Sequence, residues 1–377
     1  MKFGRTLCIG AAVVWSVLGA GCASDETTGG SDDNVNSDIP QYVLLAFDGS
    51  YNNAFWEESV NFAKTVKHTD GSHIKFTYFV NPSYYLANAK KTAYKGPKTA
   101  AGSSAIGFGG TDAEIATRVT LTQTAFNDGH EIASHAVGHF DGSKWTTDDW
   151  NIEFKAFDRF FFYKNGVETE PRPEFDGIKA AKVVGFRAPQ LGQGPGLYPT
   201  LKNFGFSYDT SKVASTGYWP VKTNGVWNFP LASLVLKNSG KRTLSMDYNH
   251  YIAHSKGVSD SANSEKYRAD VVATYKAYFD KNYAGSRAPV HIGHHFSKWN
   301  GAAYWNAMKD FAAYACTKAN VKCVTYREFA EFMEALPATR RAELQAGNGR
   351  DSGEVCTAAE CGDLDGEAAH KDEGSFD

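Results

Sequence analysis

Ser134-His135-Ala136-Val137-Gly138-His139 places two imidazoles four residues apart. On one turn of helix such residues share a face, and two neutral imidazoles on one face can hold a divalent ion. A single carboxylate, Asp48, ends the apolar run Val43-Leu44-Leu45-Ala46-Phe47 and is followed directly by Gly49. Arg187 precedes Ala188-Pro189-Gln190, and the run His291-Ile292-Gly293-His294-His295 carries three more imidazoles. A Lewis acid that lowers the pKa of bound water, beside a carboxylate that takes the proton, is the chemistry such a set suits. Each part also has a plain role: surface histidines, a strand-end acid, or packing at a barrel rim.

The elements that must place these residues alternate. Strands are expected at 42–47, 75–80, 131–134, 183–186, 206–208, 225–236, 243–248, 289–293 and 322–325. Helices are expected at 53–66, 112–127, 147–163, 264–279, 302–315 and 326–336, and residues 84–110 form a long excursion rich in Tyr, Lys and Gly. Asp48, His135, Arg187, Asp209 and His294 all follow strands. That alternation, with polar residues at strand ends, points to an α/β barrel-like fold.

The 377 residues are 42% hydrophobic and 21% charged, enough for one large domain or two small ones with a substantial core. Lys2 and Arg5 precede an apolar stretch over 8–20, the pattern of a secretory leader at 1–21. Leu18-Gly19-Ala20-Gly21-Cys22 resembles a bacterial lipoprotein cleavage box, although Gly19 stands where a larger aliphatic residue is usual. Cys22 is therefore the expected lipidation site, with a lipid anchor to membrane. The expected location is the bacterial cell envelope: the outer membrane, by that anchor, or the periplasm. Residues 22–40 are a polar acidic tether, 41–340 the barrel domain, and 341–377, with ten acids against three bases, an acidic tail expected to be disordered. The other four cysteines of the exported chain suit two short disulfides, Cys316–Cys323 and Cys356–Cys361. No Lys/Arg-rich run suggests nucleic acid.

Five motifs in order resemble the polysaccharide deacetylase family, carbohydrate esterase family four, whose NodB-like domain is a deformed (β/α) barrel. They are Ala46-Phe47-Asp48-Gly49-Ser50, His135 to His139, Arg187-Ala188-Pro189, Tyr208-Asp209-Thr210-Ser211 and Ile292-Gly293-His294, and the likeness covers residues 41–335. It implies that Asp48 is the catalytic base, His135 and His139 are metal ligands, Arg187 orients Asp48, the Gln190 backbone N–H holds the oxyanion, and His294 is the general acid. His295 is the reserve for that last role, and His291 is expected to be a packing residue. The implied cofactor is a divalent metal, zinc by expectation, and the implied substrate an acetylated polysaccharide such as peptidoglycan or a chitin-like glycan.

The chain departs from the family at Gly49, where the family's second aspartate supplies the third ligand. Asp48 itself, Asp141, Asp209 or Asp247 would then have to complete the metal site. Two other readings stay open: a catalytically impaired carbohydrate-binding protein, and a metal-free hydrolase of C–N bonds in a small amide. Trp299, Trp219 and Tyr251 are candidate sugar-stacking residues, with rim packing as their plain role.

Overall fold

The computed structural model describes residues 38–348. The leader, Cys22, the tether up to residue 37, Cys356 and Cys361 lie outside the described residues. The strands are β1 Gln41–Asp48, β2 Phe76–Val80, β3 Glu131–Ser134, β4 Gly185–Phe186, β5 Tyr208–Asp209, β6 Val213–Ala214, β7 Val221–Thr223, β8 Val226–Asn228, β9 Leu231–Val235, β10 Arg242–Leu244, β11 Val290–His295 and β12 Val321–Cys323. The helices are α1 Asn53–Thr65, α2 Asp112–Asn127, α3 Thr147–Phe162, α4 Asp176–Ala181, α5 Leu197–Asn203, α6 Asp247–Ser255, α7 Ser264–Ala284, α8 Trp299–Ala315, α9 Tyr326–Ala335 and α10 Ala338–Gln345.

The main sheet runs β11-β1-β2-β3-β4-β5-β8-β7, with β12 pairing the start of β1. Every pairing in it is parallel except β7 with β8. The sheet curls but its ends do not pair, so the barrel is deformed and open. A small sheet, β10-β9-β6, lies beside β11, where the Gly293 N–H donates to the Ser245 carbonyl. This α/β half-barrel is the deformed (β/α) barrel that the strand–helix alternation implies.

Side chains alternate between two cores, as strand geometry requires. On β1, Val43, Leu45 and Phe47 pack under the helices, whereas Tyr42, Leu44 and Ala46 face the barrel interior with Phe79, Tyr208, Phe229 and Tyr326. Helix α3 shows how the sequence builds the outer layer. Thr146 caps it through a capping box with Asp149, and Trp150, Phe154, Phe157 and Phe161 form its buried face.

Three expectations are corrected. The strand expected at 225–236 is two strands in different sheets, because Pro230 has no N–H to continue the ladder. The strand expected at 243–248 stops at Leu244, and Asp247 instead opens α6. The folded part runs past residue 340: α10 buries Leu344, and Gln345 and Asn348 bond to the backbone at Pro220 and Trp219. A disulfide joins Cys316 to Cys323, Cα atoms 5.7 Å apart, and ties the end of α8 to β12. Among the described residues no helix is long and apolar enough to cross a membrane.

Candidate functional site

The site forms where β1, β3, β4 and β11 end. Asp48 is the last residue of β1 and faces the interior, in phase with Leu44 and Ala46. The Arg187 guanidinium, fully buried, donates through Nη1 to Asp48 Oδ1 at 2.6 Å, through Nε to Thr210 Oγ1 at 2.6 Å and through Nη2 to the Tyr326 hydroxyl at 3.3 Å. It also lies 4.4 Å from the Phe79 ring centroid. It packs closely on Gly293, where an added Cβ would come within 2.8 Å of Met246 Cε and 3.2 Å of Arg187 Nη1. Burial disfavours the Arg187 charge, but Asp48 outweighs it and raises the pKa further.

Residues 135–142 are not helical, so His135 and His139 do not share a helical turn. Two left-handed residues, Ala136 at φ 56° and His139 at φ 57°, fold the loop instead and bring the two rings to 4.8 Å, edge to face. His135 Nδ1 lies 2.7 Å from the Arg187 carbonyl, and Asn81 donates to the His135 carbonyl. The Arg187 carbonyl can only accept, so Nδ1 of His135 carries the proton and Nε2 the lone pair. Burial pushes the His135 pKa down to about 4, against Asp48, so the ring is neutral at pH 7. Gln190 follows in a left-handed conformation, φ 54°, with its side chain 3.5 Å from the His139 carbonyl.

Register separates the histidines of β11. His295 pairs with Asp48 and His294 with Phe47, so His295 shares the interior face of Asp48 whereas His294 lies among the helices. His294 Nε2 is 3.3 Å from the Tyr275 hydroxyl, which is 2.9 Å from His250 Nε2. His294, expected as the general acid, thus lies on the helix side of the strand, and His295, its reserve, is the imidazole on the side of Asp48. Asp247, at the start of α6, holds it from two directions. Oδ1 is 2.7 Å from His295 Nδ1, and Oδ2 accepts the His295 backbone N–H at 2.9 Å. Burial opposes ionisation of Asp247, but His295 and then His294 outweigh it and hold the carboxyl well below its usual range. His291 stacks on Tyr326 and Phe229 as a packing residue, and both its ring nitrogens lack a hydrogen-bond partner among the described residues. Burial pushes its pKa down to about 3.

The expectation of a divalent metal, zinc or other, is overturned. Among the described residues no group of three or more His, Cys, Asp or Glu side chains could hold a metal ion. The reason lies in where the carboxylates are committed. Asp48 is paired with Arg187, and Asp247 with His295. Asp209 accepts from the Ser211 hydroxyl, the Ser211 N–H and the Tyr198 hydroxyl, an arrangement that braces Ala188 through Ser211. Asp141 closes a turn on Ser143. Among the described residues, no carboxylate joins His135 and His139 as a third metal ligand.

Gly49 offers no side chain and sits at φ 75°, a left-handed conformation that glycine adopts freely. Gly49→Asp is therefore expected to cost about 1 kcal/mol in denaturant unfolding; an unchanged unfolding midpoint would contradict this.

Of the aromatic candidates, Trp299 and Tyr251 stack on each other at 5.3 Å, and Trp299 lies 5.4 Å from His295. Trp219 is not at the site. It is buried, and its indole donates to Ser286, before β11 begins and thus at the opposite end of the barrel. Sequence reasoning missed Thr210, Tyr326, Asn81 and Glu153. Thr210 lay inside a quoted motif with no role assigned to it, and Glu153 left its own signal: an acid on the apolar face of α3, between Trp150 and Phe154.

No family profile matches the chain. A stretch of 185 residues, 47% of this chain, is 26% identical to chitin deacetylase 1 of Bombyx mori and spans only 26% of that protein. Among solved structures, a protein assigned as a polysaccharide deacetylase from Mycobacterium smegmatis is similar at 16% identity and TM-score 0.48, covering 78% of this chain and 91% of that one. The chitin deacetylase of Colletotrichum lindemuthianum is similar at 12% identity and TM-score 0.39, covering 78% and 88%. A carbohydrate esterase family four pseudoenzyme from Bacillus anthracis is similar at 8% identity and TM-score 0.38, covering 77% and 66%. These are distant likenesses, and none assigns an activity to this chain.

Proposed function

We propose that the barrel mouth is a metal-free hydrolytic site that cleaves a C–N bond of a small amide, in an exported protein. The Asp247–His295 pair, on the same face as Asp48 and Arg187, is the observation that carries this reading. With Nδ1–H on the carboxylate, His295 keeps its basic lone pair on Nε2. Nε2 takes a proton from water as the water oxygen attacks the amide carbon. The same proton passes to the leaving nitrogen as the C–N bond breaks, giving a carboxylic acid and an amine. Asp247 stabilises the imidazolium between these steps. The Gln190 N–H is the candidate oxyanion donor, and His135 and His139 are candidate contacts for the amide's polar atoms.

Burial supports a small substrate. Asp48, His135, His139, Asp247 and Arg187 are each at most 3% exposed, and His295 only 7%. The test is to incubate chelator-treated protein with a panel of small N-acyl amides and ureides and measure the amine released. Release by the wild type and its loss in His295→Ala supports the reading. Failure on the whole panel together with measurable binding of chito-oligomers would overturn it in favour of a catalytically impaired carbohydrate-binding protein.

A further inference from the structure

We propose that Glu153, a residue of α3 outside the hydrolytic set, is the positioning residue that sets the His135–His139 pair. The two left-handed residues that shape this loop, Ala136 and His139, are not glycines. Such conformations cost on the order of 1–3 kcal/mol each and persist where surrounding contacts fix them. Glu153 supplies those contacts at the two residues between them. Its Oε1 accepts the Val137 N–H at 2.7 Å and the Gly138 N–H at 3.3 Å. The Tyr94 hydroxyl donates to the same carboxylate at 2.9 and 3.1 Å. Glu153 and Tyr94 are both fully buried.

Hydrogen bonds to a buried carboxylate are the strong kind, and two backbone amides on one oxygen fix the loop's direction. Gly138 is part of the fit, because an added Cβ would lie 2.7 Å from the Tyr94 hydroxyl. On the loop's other side the Gly138 carbonyl accepts the Ala105 N–H at 2.8 Å. The long excursion therefore grips the histidine loop through Tyr94 and Ala105, while α3 grips it through Glu153. Glu153 touches neither imidazole; it acts through the backbone that carries them.

The activity arm of the test rests on the hydrolase reading, and the spectroscopic arm does not. In the full chain, Glu153→Gln keeps the size of the side chain but removes its charge, and Glu153→Leu removes every acceptor. Imidazole 15N–1H correlations should show the His135 and His139 resonances moving in both variants, more in Glu153→Leu, while those of the remote His68 and His73 stay in place. Against an amide substrate, kcat/KM should fall by up to about a hundredfold, carried by KM, because the pair contacts substrate rather than moving the proton. Wild-type positions for both imidazoles in a folded Glu153→Gln protein would overturn the proposal. So would equal movement at His68 and His73, which would mark a general loss of packing. A chain that cleaves no amide but shows the selective shifts would sink the hydrolase reading and leave this one standing.

Discussion

His295→Ala and Asp247→Asn are each expected to lower kcat for an amide substrate by about two to four orders of magnitude, with KM changed far less. The two variants fail for different reasons. Alanine removes the group that carries the proton. Asparagine leaves the imidazole but can present an N–H to Nδ1, which moves the proton to Nε2 and takes away the basic nitrogen. His294→Ala serves as the comparison. Its ring lies on the other face of β11, beside Tyr275 and 3.5 Å from Asp247, so its loss should reach catalysis only through Asp247 and be smaller. Steady-state kinetics of the three variants decide the assignment. Full activity in His295→Ala with collapse in His294→Ala would put the chemistry on the wrong side of the strand for this account.

The largest effect on stability is expected at Arg187. Arg187→Met should destabilise the fold by about 3–5 kcal/mol, measured by urea unfolding. Asp48 is 2% exposed, and its Oδ1 takes a 2.6 Å bond from Arg187 Nη1. Methionine leaves that carboxylate buried without its cation. The paired variant Asp48→Asn/Arg187→Met should recover much of the loss, because removing both charges removes the unpaired one. A loss below about 1 kcal/mol in the single variant, the range of exposed pairs, would mean that water reaches Asp48 freely.

The sequence carried the strand–helix alternation and the strand ends from which Asp48, His135 and Arg187 project, because apolar runs followed by polar residues are local signals. It also carried the alternation that divides His294 from His291 and His295. It did not carry which of those faces is the interior. That depends on the pairing of Phe47 with His294 and of Asp48 with His295, a contact between distant strands. Motif position therefore favoured His294, whereas register puts His295 on the face of Asp48. The spacing of His135 and His139 suggested a helical turn, whereas left-handed Ala136 and His139 build a loop held by Glu153 and Tyr94, groups far off in sequence. The commitment of every nearby carboxylate was likewise hidden, because each side chain's partner is fixed by the fold. Asp247 looked like an available ligand, and 48 residues separate it from the imidazole it holds.

In the proposed mechanism Asp247 and His295 do their work without a metal. The direct measurement is the rate of amide cleavage by wild-type protein stripped with chelator, with its metal content checked by elemental analysis, before and after zinc is added back. The same rate is expected in the stripped and the zinc-treated protein, with loss of that rate in His295→Ala. A rate that disappears on stripping and returns with zinc would contradict it.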